Sequence, residues 1–377
     1  MSDLFIFLFF LLFNASCNSV SNIDLFIFTT LKNVDYIIVG WGLASVAFCE
    51  QLRAHNKTYM VFDDRSQKSS IVAAGLYNPV ILKRFSEVWK AKEQLDLAIP
   101  LYARIEKDLN IKIDHKLRIL RRFTSIHEQN KWFTATDKTG LEAFLSTLLV
   151  NNTNPKIDAP YGFGEVLHAG RVDTEMLITN YREFLNENDC IRQATFQHDK
   201  IRFEKDGMQY DNTRSRHIVF AEGFGVKQNP FFNHIPLTGS KGEILTIKAP
   251  DLKIDFAIKS SVFIIPLGHD LYNVGSTYNN EDKTQEPTAS AKDELILKLK
   301  TFIKCEFEVV HHVAGIRPTV KDRRPLVGRH LKHKNLYVLS GLGTRGVMIA
   351  PYVADQLFKF IENDEPLDTE IDITRFL

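Results

Sequence analysis

Short, unbroken apolar runs alternate along the chain with stretches in which apolar residues recur every three or four positions. Tyr36-Ile37-Ile38-Val39 is one such run, and Leu43 to Ala54 behind it carries helical spacing. A run apolar on both faces reads as a buried strand of a parallel sheet. Tyr59 to Phe62 and Ile218-Val219-Phe220-Ala221 repeat the signal, as does Asn335 to Ser340. The last of these leads into a helix whose apolar face is Ala350, Val353, Ala354, Leu357 and Ile361, with Pro351 expected in its first turn. Trp89 to Leu109 has helical spacing, Lys116 to Thr124 alternates as one strand, and Thr174 to Leu185 reads as a helix capped by Asp173 or Thr174. From Pro236 to Thr277 the pattern turns to strands, at Gly242 to Ile247, Val262 to Pro266 and Tyr272 to Ser276, followed by a helix over Ala289 to Ile303.

This order predicts an α/β protein with a discontinuous, Rossmann-like nucleotide domain built from residues 34–86, 168–232 and 312–377. A mixed α+β substrate domain, 87–167 and 233–311, is inserted into it and forms a cleft over the ligand. Residues 1–33 read as an extension outside the fold. Leu4 to Phe13 is an apolar run too short to span a bilayer, and the only charge before it is Asp3. A cytoplasmic protein is therefore expected, with membrane association through residues 4–13 as the alternative.

Composition narrows the picture only a little. The 377 residues are 44% hydrophobic and 25% charged, as in an ordinary globular protein. Lys+Arg 47 against Asp+Glu 46 leaves no basic excess, so no nucleic-acid partner is expected. The cysteines, Cys17, Cys49, Cys190 and Cys305, are scattered without a CxxC pair, and no metal site is expected.

The candidate chemistry lies at two strand-to-helix turns. In Gly40-Trp41-Gly42-Leu43-Ala44-Ser45, Gly40 makes the tight turn and Gly42 lets the backbone approach a pyrophosphate at the helix N-terminus. Asp63, about 20 positions on, is placed to accept from a ribose hydroxyl. Ser45 stands where the third glycine of this fingerprint usually sits. The second turn is Gly341-Leu342-Gly343-Thr344-Arg345-Gly346. Upstream of it lie Ala314-Gly315-Ile316-Arg317-Pro318-Thr319 and Pro325-Leu326-Val327-Gly328.

With these motifs and Lys241-Gly242-Glu243, most of residues 34–377 resembles the FAD-dependent D-amino-acid oxidase/glycine oxidase (DAO) family. The resemblance implies a two-domain fold, an FAD cofactor, and oxidation of the C–N bond of an amine or amino acid by hydride transfer to flavin. It implies Arg317 as the catalytic clamp on a substrate carboxylate, and oxygen or another acceptor for the electrons. The cofactor positions it implies are Gly40, Gly42, Leu43, Ala44, Asp63, Asp64, Ser70, Ala74, Gly75, Gly223, Gly341, Gly343, Thr344, Arg345, Gly346 and Val347. Arg345 departs from the commoner family pattern. No cysteine stands near Gly315, where some relatives bond flavin covalently, so the FAD is expected to be non-covalent.

Other readings stay open here. An FAD-dependent dehydrogenase of a hydroxy acid would use the same clamp, and the chain could be the flavin module of a tRNA-modifying enzyme. Arg317 could instead pair with a carboxylate such as Asp322. Tyr278 is open between a pocket wall and a surface or core position.

Overall fold

The computed structural model describes residues 31–376; the apolar run at 4–13 lies outside them. With Ile191–Gln193 at one edge, the unbroken apolar runs form the parallel centre of an eight-stranded sheet, in the order Ile191–Gln193, Tyr59–Asp63, Lys32–Val39, Thr213–Phe220 and Leu336–Ser340. Lys32 and Asn33 already pair in the sheet, two residues before the expected boundary. Leu326–Arg329 closes one side antiparallel to the last strand, and the hairpin of Arg202–Glu204 and Gly207–Tyr210 lies against the start of Thr213–Phe220.

One face of this sheet carries the helix Leu43–Ala54 packed on Gly346–Glu362, with Ala91–Leu109 and Thr174–Glu187 beside them. The opposite face packs an aromatic cluster that includes Phe62, Phe196, Phe220 and Phe232.

A second eight-stranded sheet runs Glu308–Arg317, Ser240–Lys248, Leu271–Gly275, Phe263–Gly268, Ala257–Lys259, Ile119–Arg122, Phe163–Val166 and Leu145–Val150. Alternation divides its residues as a pleat requires. Ile119, Ala257 and Ile265 join the core shared with the first sheet, while Leu120, Ile258 and Ile264 pack in a separate cluster with Leu295 and Leu299 of the helix Ala289–Lys300. The expected break between residues 311 and 312 falls inside the continuous strand Glu308–Arg317. Helix Ala91–Leu109, expected in the inserted domain, packs on Gly346–Glu362 instead.

Three local expectations are corrected. Lys116 to Thr124 is two strands, because Asp114–Lys116 pairs in a small separate sheet while Ile119–Arg122 enters the large one. The helix after Thr288 ends at Lys300 rather than Ile303. Pro351 is not in a first turn, since its helix starts at Gly346. A proline there withholds the N–H that Val347 C=O would otherwise accept. The hydroxyl of Tyr102 donates to that carbonyl at 2.7 Å, so the interior proline is accommodated. Among the described residues, no helix is long and apolar enough to cross a membrane.

Candidate active site

The first turn is held by side chains. Gly40 has φ +92°, and a methyl group placed on it would fall 2.8 Å from Ala221 O, so both conformation and space demand glycine. Ser45, fully buried, donates through Oγ to Gly40 O at 2.7 Å and so braces the turn from inside the helix. Ser70 Oγ accepts from the Leu43 N–H at 3.1 Å. Asp63 accepts from the Trp41 N–H at 3.0 Å and the Arg65 N–H at 3.1 Å, and pairs with Arg182.

A channel runs over this turn, lined by Gly40, Gly42, Ala44, Gly223 and Ser340. It shares Leu43, Ser69, Ser70, Pro318 and Leu342 with a larger open cleft between the two sheets. The second turn faces that cleft through Gly343, Thr344, Gly346 and Val347. Gln285, from the loop beyond the second sheet, donates to Ser66 O at 2.7 Å and accepts from the Lys68 N–H at 3.2 Å, tying the two lobes across the cleft.

Arg317 is the last residue of strand Glu308–Arg317 and lines the cleft. Its guanidinium lies across Gly242, where any side chain would collide with it at 1.8 Å. It donates to Ser276 Oγ at 2.7 Å and to Thr277 O at 3.3 Å, and sits 4.6 Å from the Tyr278 ring centre. Among the described residues no carboxylate pairs with it; Asp322, the expected alternative partner, pairs with Arg375 at 2.9 Å. Burial shifts Arg317 downward from the usual guanidinium range, and burial does the same to Arg345. Tyr278 is 68% exposed and stands at the cleft wall.

The profile described as FAD dependent oxidoreductase (DAO) matches residues 35–359. The chain belongs to this family. It is 23% identical over 223 residues to glycine oxidase of Bacillus subtilis (strain 168), covering 55% of this chain and 60% of that one. It is 22% identical over 379 residues to the tRNA 5-methylaminomethyl-2-thiouridine biosynthesis bifunctional protein MnmC of Campylobacter jejuni subsp. jejuni serotype O:6, covering 91% of this chain and 57% of that one. The chain thus spans little more than half the length of these curated relatives. Among solved structures, glycine oxidase from Geobacillus kaustophilus superposes with a TM-score of 0.74 at 18% identity, covering 92% of this chain and 98% of the other. L-proline dehydrogenase from P. horikoshii gives 0.75 at 14% identity, with the same coverage. These likenesses establish the fold.

The family is one of FAD-dependent oxidoreductases, and the residues of this site fit that cofactor. The channel passes along the N-terminus of the helix behind Gly42, whose positive dipole end suits a pyrophosphate. At Gly223 and Gly343 nothing lies within 4 Å of the position a Cβ would take, so the backbone there is bare.

Of the positions expected to hold FAD, Gly40, Gly42, Leu43, Ala44, Ser70, Ala74, Gly75, Gly223, Gly343, Thr344, Gly346 and Val347 line the channel or the cleft. Asp63, Asp64, Gly341 and Arg345 do not. Asp63 is only 6% exposed and both its oxygens are engaged within the protein, so it secures the turn instead of facing the channel. Asp64 accepts from the Ser66 N–H at 2.9 Å. Gly341 makes a positive-φ bend behind the cleft wall. Reading the sequence missed Ser276, whose hydroxyl holds Arg317, and the apolar wall of Ile244, Phe263 and Ile265. Only the alternation of strands Ser240–Lys248 and Phe263–Gly268 could have signalled that wall.

Proposed function

We propose that the enzyme oxidises the C–N bond of an amine or amino acid bearing a carboxylate. The observation that carries this reading is Arg317, a guanidinium held by Ser276, Thr277 and Tyr278 with no counter-ion among the described residues, at the wall of an otherwise largely apolar cleft. A planar fork in that position binds a carboxylate bidentately and fixes the carbon next to it. Ile244, Phe263 and Ile265 exclude water from the face opposite the second turn. Bound non-covalently, FAD supplies the two-electron acceptor; no cysteine lines the cleft among the described residues. The N-terminus of helix Gly346–Glu362 opens on the same space and favours negative charge there. No carboxylate or imidazole lines the cleft among the described residues, so the amine gives its proton to solvent before it reacts. Turnover therefore rises with pH toward the amine's own pKa.

A second reading, the oxidoreductase part of a tRNA-modifying enzyme, is supported by the long alignment with the Campylobacter protein. Both readings bring the C–N bond to be oxidised into the same cleft, so the reaction is common to both. Anaerobic bleaching of the flavin by amino acids, N-methyl amino acids and hydroxy acids tests it. Bleaching by amines alone is expected. Bleaching by hydroxy acids and not by amines would replace this reading with a hydroxy-acid dehydrogenase.

A further inference from the structure

The motif Lys241-Gly242-Glu243 lies on the strand paired with that of Arg317, and alternation divides its residues between two faces. Gly242 lines the cleft and leaves the space that the Arg317 guanidinium fills. Lys241 and Glu243 are buried on the other face, and both hold a single loop. Residues 276–288 join strand Leu271–Gly275 to helix Ala289–Lys300. This loop supplies the groups that support the Arg317 guanidinium: Ser276 Oγ, Thr277 O and the Tyr278 ring.

Lys241 Nζ donates to Asp282 Oδ2 at 2.6 Å, to Thr284 Oγ1 at 3.2 Å and to Glu286 O, which uses all three of its protons. Its main chain exchanges two hydrogen bonds with Asn279, at 2.8 and 2.9 Å. Glu243 secures the two ends of the loop. Its N–H donates to Thr277 Oγ1 at 3.0 Å, and its carboxylate accepts from the Thr288 N–H at 2.8 Å and the Thr288 hydroxyl at 2.9 Å. Gln285, which clasps the other lobe, sits between two of the residues that the ammonium holds. A buried ion pair is often no more stabilising than apolar side chains of the same volume. What this one fixes is the path of the loop.

We propose that Lys241 is a positioning residue for the carboxylate clamp: it acts through loop 276–288 to set where the Arg317 guanidinium stands in the cleft. This rests on the reading of Arg317 as that clamp. Lys241 does not line the cleft, so it touches no substrate. Without its ammonium the middle of the loop loses three anchors, and Ser276 and Thr277 no longer hold the guanidinium at one angle to an incoming carboxylate. A bidentate pair depends on that angle, whereas the binding of an uncharged ligand does not.

The test uses butyrate and butyramide, alike in shape and different in charge, on the flavin-loaded enzyme. Each dissociation constant is read from the perturbation of the flavin absorbance. The wild type should bind butyrate at least about tenfold more tightly than butyramide, and Arg317→Met should bring that ratio near one. Lys241→Met should lower the ratio at least about fivefold by weakening butyrate alone. In the Arg317→Met background the same substitution should leave butyrate affinity unchanged, because the lysine acts only through the arginine. A lysine that serves stability alone gives a different result: both probes weaken together, or butyrate weakens in both backgrounds, and either outcome overturns the proposal. Asp282→Asn, on the partly exposed side of the same contact, should lower the ratio in the same direction and decides the matter if Lys241→Met does not hold FAD. An unchanged ratio in these variants beside a collapsed one in Arg317→Met sinks this inference alone. A wild-type ratio near one sinks the reading of Arg317 and this inference with it.

Discussion

The two glycine turns do similar topological work and are built in opposite ways. At Gly40 to Ser45 the polar groups are largely satisfied within the protein: Asp63 takes the Trp41 N–H, Ser70 takes the Leu43 N–H, and Ser45 gives its proton to Gly40 O. At Gly341 to Gly346 one backbone bond, from the Gly343 N–H to Pro318 O at 2.9 Å, ties the turn to the Arg317 segment, and the Arg345 guanidinium has no hydrogen-bond or ion-pair partner among the described residues. The first turn is a fixed cradle; the second leaves bare backbone at Gly343 on the cleft wall.

Substitutions can break that contrast. Gly40→Ala combines a left-handed backbone with a contact of 2.8 Å to Ala221 O, a cost of about 3 kcal/mol or more. It should yield protein without bound flavin, read by the absorbance ratio of purified material. Gly343→Ala has φ +61° and open space around the new methyl, so only the conformational cost of about 1 kcal/mol applies; it should retain flavin. Equal loss in both variants would mean that the second turn is as tightly specified as the first.

Asp63→Asn leaves the Arg182 guanidinium uncompensated and should lower stability by about 3 kcal/mol in denaturant unfolding. The double variant with Arg182→Met should lose less than the sum of the singles. Arg317→Met should raise KM for a carboxylate substrate by about 10- to 100-fold, with a much smaller change in unfolding midpoint than Asp63→Asn produces. The smallest effect belongs to Ser45→Ala, which removes one neutral hydrogen bond worth about 1 kcal/mol.

The parallel sheet was legible because its strands are apolar on both faces, and both turns because glycine leaves a local mark. What escaped depends on residues far apart in the chain. Asp63 reads locally as a ribose acceptor, yet Arg182, 119 positions away, claims its carboxylate. Tyr102 rescues Val347 O from a proline across 245 positions. No periodicity encodes either pairing. The split of Lys116 to Thr124 was hidden for a related reason, since alternation tells which face a residue takes but not which sheet it joins. Arg317 emerged from its motif, while the Ser276, Thr277 and Tyr278 support around its guanidinium became visible only once the strands were in register.

Strand Glu308–Arg317 has a mechanical consequence. It is hydrogen-bonded along its length to Ser240–Lys248, and at Pro318 it is latched to the turn that starts the last helix. The guanidinium and that helix start therefore ride on one stiff lever. If the lobes breathe about the Gln285 clasp, the gap admitting substrate changes width while the spacing between these two groups is conserved. Entry and alignment are thus separable, and a loosened clasp should alter how fast ligands exchange before it alters how well they are held.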